Sequence, residues 1–460
     1  MLDALSALDG RYSDKVTELR KFFSEQAFTA YRLHVEIQWL LHLYEWSEQG
    51  QILLSFKLSP EQKSYLSKLA HSVLTEATLP QRAKDFERET NHDVKALEYA
   101  LVEHLSSVGF SKQALCYVHF ACTSEDINNL AYALMVKDGL REVLIPKLQA
   151  ITQGLHSFAS EYSQIAMLSR THGQKASPTT LGKEFAVFAR RFERRLDAIK
   201  SLPILGKING ATGNFSAHTV VFPDTPWEDL AEDFVRRRLG LIYNPLTTQI
   251  EPHDWTASLC HELAHISALG IDFARDIWGY ISFAYLKQKL KANEVGSSTM
   301  PHKVNPIDFE NAEGNFGLAI ALAQHMAVKL PISRFQRDLS DSTVQRSLGT
   351  VFGYLHIGLL ALQRGLGKIE ANEQAIADDL QGSWELLGEA LQTALRACGV
   401  PDAYERIKAA TRGRVLDQQA YLDLVQGASE LNPALRERLL NLRPETYLGR
   451  GVDLSLRVRA

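Results

Sequence analysis

Apolar residues in the middle of the chain recur at steps of three and four, the spacing of one face of an α-helix. Residues 181–199 form such a stripe, with lysine, arginine and glutamate between the apolar positions. Residues 128–162 show the same pattern, and Pro146 within them predicts a kink or break. Residues 255–290 are apolar on nearly every side, which predicts a helix buried on all faces, within the chain or between subunits.

Alternation of apolar and polar residues, which is typical of half-buried strands, is scarce in this sequence. The best strand candidate is short, at residues 218–222 (HTVVF). The pattern therefore predicts an all-α fold, and we expect three helical domains: an N-terminal domain at 1–112, a central domain of long helices at 113–365 and a C-terminal domain at 366–460. Two or three long apolar helices are too much for one small domain to bury, so a bundle shared by several copies of the chain fits the pattern.

Composition narrows the classes of function. The chain has 460 residues, with 50 Lys and Arg against 54 Asp and Glu and a net charge of −4, a balance that argues against a nucleic-acid-binding surface. The apolar windows are too short to predict a membrane span, and the first residues do not resemble a secretory signal. We therefore expect a protein that binds neither nucleic acid nor membrane. We also expect it to be cytoplasmic, because its four cysteines lack the spacing of a disulfide framework and are most simply free thiols. These cysteines are Cys116, Cys122, Cys260 and Cys398.

The most informative polar loop spans residues 296–306 (GSSTMPHKVNP) and follows the long apolar helix. Its opening glycine permits unusual backbone angles, so the backbone N–H groups beside Ser297 and Ser298 could face an anion. Lys303 adds a positive charge and Asn305 an amide donor. The loop therefore predicts an anion site, and the alternative is a solvated connection between two helices.

A second polar cluster, at residues 169–174 (SRTHGQ), surrounds His172 with hydroxyl, guanidinium and amide groups. Histidine has the side-chain pKa nearest neutrality, so it can give or take a proton with little tuning. From these residues alone, a capping or loop histidine is the commoner explanation.

Polar residues also precede two predicted helices, at 90–93 (TNHD) and 123–126 (TSED). Such residues cap helix starts, and helix starts also bind phosphate or carboxylate. Between 333 and 346, three arginines and several hydroxyl groups would suit an anionic ligand or would form a solvated charged turn.

Residues 261–265 (HELAH) match the H-E-x-x-H pattern of zinc proteases. A third ligand at the metzincin spacing is missing, and the pattern lies in the most apolar helix, where a catalytic zinc would need an open water position. We therefore interpret these histidines as helix-bundle residues.

Taken together, these loops resemble the fumarase/aspartase superfamily. The stretch GSSTMPHKVNP is similar to its signature loop, which fumarases, aspartases and argininosuccinate lyases share. Other stretches resemble the adenylosuccinate lyase family of the longer bacterial type. They are RTHGQ at 170–174, TSEDINN at 123–129, TNHDVKALEY at 90–99, GKINGATGN at 206–214 and TTQIEPHD at 247–254. Lys175 stands where that family usually has proline.

The resemblance implies a carbon–nitrogen lyase of purine nucleotide biosynthesis. It implies elimination of fumarate from adenylosuccinate, giving AMP, and from the succinylcarboxamide ribonucleotide SAICAR, giving AICAR. It also implies a homotetramer around a long helical bundle, with each active site built from three subunits and with no metal or organic cofactor. A sister lyase of the superfamily, and an oligomer that kept the fold and lost the reaction, are the open alternatives.

By the same resemblance, Ser297 is the base, His172 is the acid, and Lys303 and Asn305 hold the succinyl carboxylate. Glu310 would orient His172, as a carboxylate often orients a catalytic imidazole. A further set would line the nucleotide and succinyl sites. Its members are Arg11, Tyr12, Asn91, His92, Asp93, Thr123, Ser124, Gln249, Ser298, Val304, Asn305, Asn311, Arg337, Ser342, Thr343 and Arg346.

Overall fold

The computed structural model describes residues 3–289, 300, 303–411 and 416–457, and helices carry most of them. The all-α prediction is confirmed. The helices are α1 (Thr17–Phe23), α2 (Glu25–Glu48), α3 (Pro60–Ser72), α4 (Thr78–Thr90), α5 (Asp93–Ser107), α6 (Lys112–Leu115), α7 (Ser124–Gly139), α8 (Ile145–Glu161), α9 (Leu181–Lys200), α10 (Ser216–Val221), α11 (Trp227–Asp233), α12 (Asp254–Ser282), α13 (Ile307–Lys329), α14 (Ser340–Gln345), α15 (Leu348–Leu366), α16 (Glu373–Leu380), α17 (Gly388–Ala397), α18 (Ala403–Thr411), α19 (Gln418–Gly427), α20 (Pro433–Leu440) and α21 (Gly451–Leu456).

Short strands pair two by two in the described part of the chain. They are β1 (Ala166–Thr171) with β2 (Gln174–Thr180), antiparallel; β3 (Leu205–Gly206) with β4 (Ile242–Tyr243), parallel; and β5 (Leu286–Gln288) with β6 (Ile369–Ala371), antiparallel.

The chain divides into two compact units. Unit 1 comprises Met1–Lys147, Arg195–Ala268 and Gly314–Leu359, and unit 2 comprises Leu148–Arg194, Leu269–Glu313 and Leu360–Ala460. In unit 1, an apolar cluster forms where α2, α3, α4 and α5 pack together. In unit 2, a second cluster involves α17, α19 and α20. The three-domain division stays a prediction.

Pro146 interrupts the helix as predicted. Residues Leu140–Leu144 form a π-helical turn between α7 and α8. Proline has no N–H, and its ring clashes with the carbonyl four residues earlier in a regular α-helix. A wider π turn at that point removes the clash and lets the chain continue as helix.

The long apolar helix is shorter and less uniformly buried than its sequence predicts. α12 ends at Ser282, because Ala284 adopts a left-handed φ of 58° and Tyr285 N–H bonds to the Tyr280 carbonyl at 2.9 Å, which closes a C-terminal cap. The single chain does not bury α12 on all sides, and burial of the rest between subunits stays a prediction. One stripe of α12 is exposed, comprising Ser258, His261, His265, Ala268, Asp272 and Arg275.

The strand predicted at residues 218–222 is wrong, since residues Ser216–Val221 form α10. His218 is buried, with its ring 4.7 Å from the Trp227 ring, whereas Val220 and Val221 are exposed. Helical spacing turns His218 and the half-buried Phe222 inward together. Packing of these two aromatic rings therefore overrides the β-propensity of the valines.

No helix among the described residues is long and apolar enough to cross a bilayer.

Candidate functional site

The start of α7 carries two of the predicted binding residues, Thr123 and Ser124, in unit 1. Thr123 is the N-cap, and its backbone N–H donates to the Asp126 carboxylate at 2.8 Å. This is one half of a capping box, so the predicted helix start is confirmed. The first turn of this long helix presents the positive end of its dipole, which favours an anionic group.

Asp126 connects the parts of this region, although the sequence marks it only as one of the polar residues at 123–126 that precede a helix and not as a site residue. Its side chain is 0% exposed and accepts from the backbone N–H groups of Asn209, at 3.0 Å, and Gly210, at 3.1 Å. The ammonium of Lys207, also 0% exposed, lies 2.9 Å away. Asp126 thus ties the start of α7 to the loop at 207–210. A lysine inside an otherwise apolar and glycine-rich stretch was the available signal for a buried ion pair.

The same loop holds Gln249, another predicted binding residue. The Gln249 amide donates to the Ala211 carbonyl at 3.0 Å, and Asn209 Nδ2 donates to Thr247 Oγ1 at 2.8 Å. Gly213, with φ of +78°, lies so close to Thr247 that a Cβ would be 2.3 Å from its carbonyl oxygen. The loop at 206–214 and the segment at 247–249 therefore fit together only with glycine at that position.

A charged cluster in unit 1 contains Asp93 and Arg346. Asp93 accepts from Arg32 Nη1 at 2.7 Å, and Arg346 lies 3.5 Å from Asp93 and 2.9 Å from Glu25. Burial raises the pKa of Asp93, but the Arg32 guanidinium more than offsets this, so the net pKa lies below the usual value. Asp93 is thus a carboxylate at neutral pH.

Arg337 is likewise paired with an acid, Glu125, at 3.0 Å. Glu125 is 3% exposed. The two predicted anion-binding arginines, Arg337 and Arg346, therefore each hold a carboxylate in the single chain, and a substrate phosphate would share or displace these partners.

His92 and Asn91 join α4 to α5. Asn91 ends α4 with a left-handed φ of 51°, and His92 is the N-cap of α5. His92 Nδ1 accepts from the Lys95 backbone N–H at 3.2 Å. The bond leaves Nε2 of the neutral ring as the protonated nitrogen that can face a ligand.

Ser342 and Thr343 lie on the short α14. Its Asp341 is buried and lies 3.4 Å from His253 Nε2, and Gln345 lies 3.1 Å from His253 Nδ1. These contacts anchor the buried side of α14.

His172 lies at the tip of the hairpin of β1 and β2, in unit 2. Thr171 pairs with Gln174, so His172 and Gly173 form a two-residue turn, with φ of 53° and 73°. Positive φ at both positions is the geometry that suits a two-residue hairpin, but it is strained for a histidine. The ring is exposed at the tip. His172 thus lies in a turn, and its role as the acid stays a prediction. The strands on either side were missed because apolar and polar residues do not alternate along them.

The signature loop is described only from Lys303 onward, apart from residue 300. Ser297 and Ser298, the predicted base and its neighbour, lie outside the described residues. Lys303 is exposed, and the Val304 carbonyl accepts from Gln288 Nε2 at 3.2 Å. Asn305 lies just before α13.

Glu310 and Asn311 lie in the first turn of α13. Glu310 Oε1 accepts from Trp278 Nε1 at 3.2 Å. The orientation of His172 by Glu310 stays a prediction. Arg11 and Tyr12 lie in unit 1, just before the short 3-10 helix Ser13–Val16, with Arg11 exposed.

Glu262, the glutamate of the zinc-protease pattern, pairs with an arginine. Arg195 Nη1 lies 3.0 Å from Glu262 and 3.1 Å from His265 Nδ1, and His261 is exposed. Among the described residues, no group of three His, Cys, Asp or Glu side chains could hold a metal ion.

Sequence reasoning also missed an ion pair between the half-buried His119 and the buried Glu36. His119 Nδ1 lies 2.6 Å from Glu36 Oε1, and Glu36 is 0% exposed. Burial lowers the pKa of His119, but Glu36 more than offsets this and the net pKa is raised. No sequence signal marked Glu36, because it lies within the buried face of α2.

Two family models match the chain. Residues 10–320 match a model described as lyase, and residues 333–448 match one described as adenylosuccinate lyase C-terminal. The adenylosuccinate lyase of Escherichia coli is 44% identical over 453 residues, which cover 98% of both chains. That of Vibrio cholerae is 44% identical over 454 residues, covering 99% of this chain and 98% of the relative.

Solved structures show the same fold at lower identity. A fumarate lyase from Mesorhizobium matches with a TM-score of 0.73 at 20% identity, covering 96% of this chain and 97% of that one. The 3-carboxy-cis,cis-muconate lactonizing enzyme from Pseudomonas putida matches with a TM-score of 0.72 at 19% identity, covering 96% of both chains. These likenesses establish the fold, whereas the full-length matches at 44% identity go further. The chain belongs to the adenylosuccinate lyase family of the fumarase/aspartase superfamily.

Proposed function

We propose that this protein eliminates fumarate from adenylosuccinate to give AMP, and from SAICAR to give AICAR, in purine nucleotide biosynthesis. The observation that carries the proposal is identity of 44% to curated adenylosuccinate lyases over nearly the whole length of both chains. The match extends over nearly the whole chain and is not limited to one domain.

The reaction removes a weakly acidic proton from the carbon beside a carboxylate and then breaks the carbon–nitrogen bond. A base must take the proton, an acid must protonate the leaving nitrogen, and cations must stabilise the charge that builds on the carboxylate. We assign the base to Ser297, the acid to His172, and the carboxylate contacts to Lys303 and Asn305. The exposed ring of His172 at a hairpin tip supports its assignment, because such a ring can reach a substrate bound beside it.

Unit 1 supplies the nucleotide contacts in this proposal. The start of α7 offers backbone N–H groups and a helix dipole to a phosphate or carboxylate. Arg337 and Arg346 add guanidinium groups that bind planar anions with two hydrogen bonds. Their present pairing with Glu125, Glu25 and Asp93 keeps the arginines ordered before substrate binds.

We further propose a cytoplasmic homotetramer with sites built from three subunits. Support comes from large apolar side chains exposed on long helices of the single chain, such as Trp278 on α12 and Leu318 and Val328 on α13. Contact with other copies would cover them. Size-exclusion chromatography with light scattering is expected to give four chains per particle, and a monomer that is fully active would contradict this assembly.

The substrate assignment is tested by product analysis. Purified protein is incubated separately with adenylosuccinate, SAICAR and argininosuccinate, and fumarate and the second product are quantified by chromatography. We expect fumarate to form in equal amounts with AMP or AICAR, and no turnover of argininosuccinate. Turnover of argininosuccinate alone would replace the nucleotide assignment with that of a sister lyase.

A further inference from the structure

The hairpin that carries His172 is held by a short segment of the C-terminal region, residues 379–383. Arg170 and Lys175 pair across the hairpin. They lie next to the Thr171–Gln174 pair, which closes the turn that contains His172. The Arg170 guanidinium binds the Asp379 carboxylate, and Lys175 Nζ donates to Ser383 Oγ at 2.9 Å. Both strands of the hairpin are therefore attached to the same short segment, and all these residues belong to unit 2.

Asp379 has a second donor that fixes its position. It lies in the last turn of α16, and its carboxylate accepts from the hydroxyl of Tyr285, which is 2% exposed. Burial, together with the nearby Asp379 carboxylate, raises the pKa of Tyr285 to about 12, so the phenol stays protonated and donates at neutral pH. The Tyr285 carbonyl also accepts from the Asn372 N–H at 2.8 Å, at the start of α16. Tyr285 thus contacts both ends of this helix.

Ser383 is equally well placed to act as an anchor. It is 1% exposed, and its backbone N–H donates to the Leu380 carbonyl at 3.2 Å. Lys175 reaches this buried hydroxyl from an exposed position on β2 and also lies 3.5 Å from the Asp379 carbonyl oxygen. The Lys175 side chain is therefore held at its backbone end by β2 and at its ammonium end by Ser383.

The turn needs such support for a physical reason. A hairpin of two strands is marginally stable by itself, and His172 holds a strained left-handed conformation. A proton donor misplaced by about 1 Å can lose about 10²-fold in rate. The position of the His172 ring therefore depends on the contacts that hold β1 and β2 next to the turn.

We propose that Asp379, Ser383 and Lys175 are positioning residues that hold the His172 hairpin in the geometry for proton transfer. The inference rests on the proposed function, in which His172 is the acid. Lys175 stands where the related family usually has proline, whose fixed φ stiffens a strand. In this chain the 2.9 Å hydrogen bond from Lys175 to Ser383 restrains that position of the strand.

The first test compares Asp379→Asn, Asp379→Glu and Ser383→Ala with the wild-type enzyme, using adenylosuccinate as substrate. We expect Asp379→Asn to lower kcat about tenfold or more and Ser383→Ala several-fold, with KM within about threefold of wild type, because the hairpin positions the acid and binds little of the substrate. Asp379→Glu keeps the charge and is expected to recover part of kcat. Melting temperature and particle size are recorded for each variant to separate loss of position from loss of fold.

Ser177→Ala is the matched control, because Ser177 lies on the same strand but bonds to Glu389, farther from the turn. It is expected to leave kcat unchanged. Wild-type kcat in both Asp379→Asn and Ser383→Ala, or an equal loss in Ser177→Ala, would overturn the inference. If Asp379→Asn fails to fold, Ser383→Ala decides, since it removes a single hydroxyl. Absence of turnover by the wild-type enzyme would instead refute the proposed function.

A second test combines Ser383→Ala with substitutions of its partner, Lys175. In a Lys175→Pro background, Ser383→Ala is expected to have no further effect on kcat, because the lysine that used the hydroxyl is gone. In a Lys175→Met background, kcat is expected to be low already and to be equally insensitive to Ser383→Ala. Additive losses from Lys175→Met and Ser383→Ala would show that the two residues act independently and would overturn the pairing.

Discussion

At the scale of single residues, the candidate site depends on a fully buried charge pair. Asp126 and Lys207 are both 0% exposed, 2.9 Å apart, and surrounded by backbone N–H and carbonyl groups. Such a pair contributes little net stability when intact, but it is costly to break, because one charge is then left without a partner. Its value here is that it fixes the loop at 207–210 against the start of α7.

Replacing Asp126 with asparagine is expected to destabilise the protein by about 3–5 kcal/mol, since the Lys207 ammonium stays buried and unpaired. Denaturant unfolding followed by circular dichroism measures the loss. The double variant Asp126→Asn, Lys207→Met is expected to recover part of it. Lys21→Met, which breaks the exposed pair of Lys21 and Glu142, should cost at most about 1 kcal/mol. A loss for Asp126→Asn no larger than that for Lys21→Met would contradict the buried-pair account.

Burial of His218 predicts a particular dependence of stability on pH. Burial lowers the pKa of His218 to about 4, below the value near 6.5 expected in the unfolded chain. The folded state therefore binds fewer protons, so the stability contribution is complete above pH 6.5 and is lost as the pH falls from about 6.5 towards 4. For this one group the loss between pH 7.5 and pH 5 is about 2 kcal/mol.

The variant His218→Phe is expected to reduce the fall in unfolding free energy between pH 7.5 and pH 5 by about that amount, about 2 kcal/mol. The measurement is a set of urea midpoints at several pH values. His42, whose pKa is also lowered to about 4 by burial, is unchanged in this variant and contributes to the pH dependence that remains. An identical pH profile in the variant and the wild type would show that His218 does not titrate as its burial requires.

At the scale of elements, the candidate residues of unit 1 lie at helix starts and in one glycine-rich loop, and His172 of unit 2 lies at a hairpin tip. The loop at 206–214 is close to the segment at 247–249, and Gly213 is the residue that permits the approach, because a Cβ there would lie 2.3 Å from the Thr247 carbonyl oxygen. Gln249, a predicted binding residue, is held by the same loop through the Ala211 carbonyl. A substitution at Gly213 should therefore displace Gln249 and weaken substrate binding.

Gly213→Ala is expected to raise KM for adenylosuccinate about tenfold and to lower the melting temperature, because the loop must move away from Thr247. Gly50→Ala is the matched control. Gly50 also has a positive φ, +73°, but a Cβ there would meet nothing within 4 Å. It is expected to cost about 1 kcal/mol of stability from backbone strain alone and to leave KM unchanged. Equal effects of the two substitutions on KM would refute the close approach.

Elements with local causes could be predicted from the sequence. The apolar stripe of α9, the cap residues Thr123 and His92, and the interruption at Pro146 all depend on neighbours within a turn or two of helix. The residues 218–222 were assigned wrongly because Trp227 and the buried face of His218 decide their conformation. Non-local packing of this kind leaves no periodic pattern in the segment itself.

For the candidate site, too, local features could be predicted from the sequence and distant partners could not. The polar loops were recognisable because helix packing does not require their hydroxyl, amide and glycine residues. The partners that fix them, such as Asp126 for the loop at 207–210 and Asp379 for the hairpin, are distant in sequence. Asp126 lies in the first turn of α7 and Asp379 in the last turn of α16, and only the folded chain brings each to its distant partner.

At the scale of the whole molecule, fold and function are supported by different observations. Solved structures at 19–20% identity have TM-scores of 0.72–0.73, and they include a lyase and a lactonizing enzyme. The shared helical fold therefore leaves the reaction undecided. Full-length identity of 44% to adenylosuccinate lyases is what identifies elimination from a succinyl nucleotide as the reaction.

The most direct test of this account is the steady-state rate with adenylosuccinate for the wild-type protein and for His172→Gln, followed by the ultraviolet change as AMP forms. We expect the wild type to turn over the substrate. His172→Gln should lose about 10²–10⁴-fold in kcat, with adenylosuccinate still binding at nearly wild-type affinity, because the acid acts mainly in the transition state. A His172→Gln enzyme that retains most of the wild-type kcat would contradict the assignment of the acid, and a wild-type protein without turnover would contradict the proposed function itself.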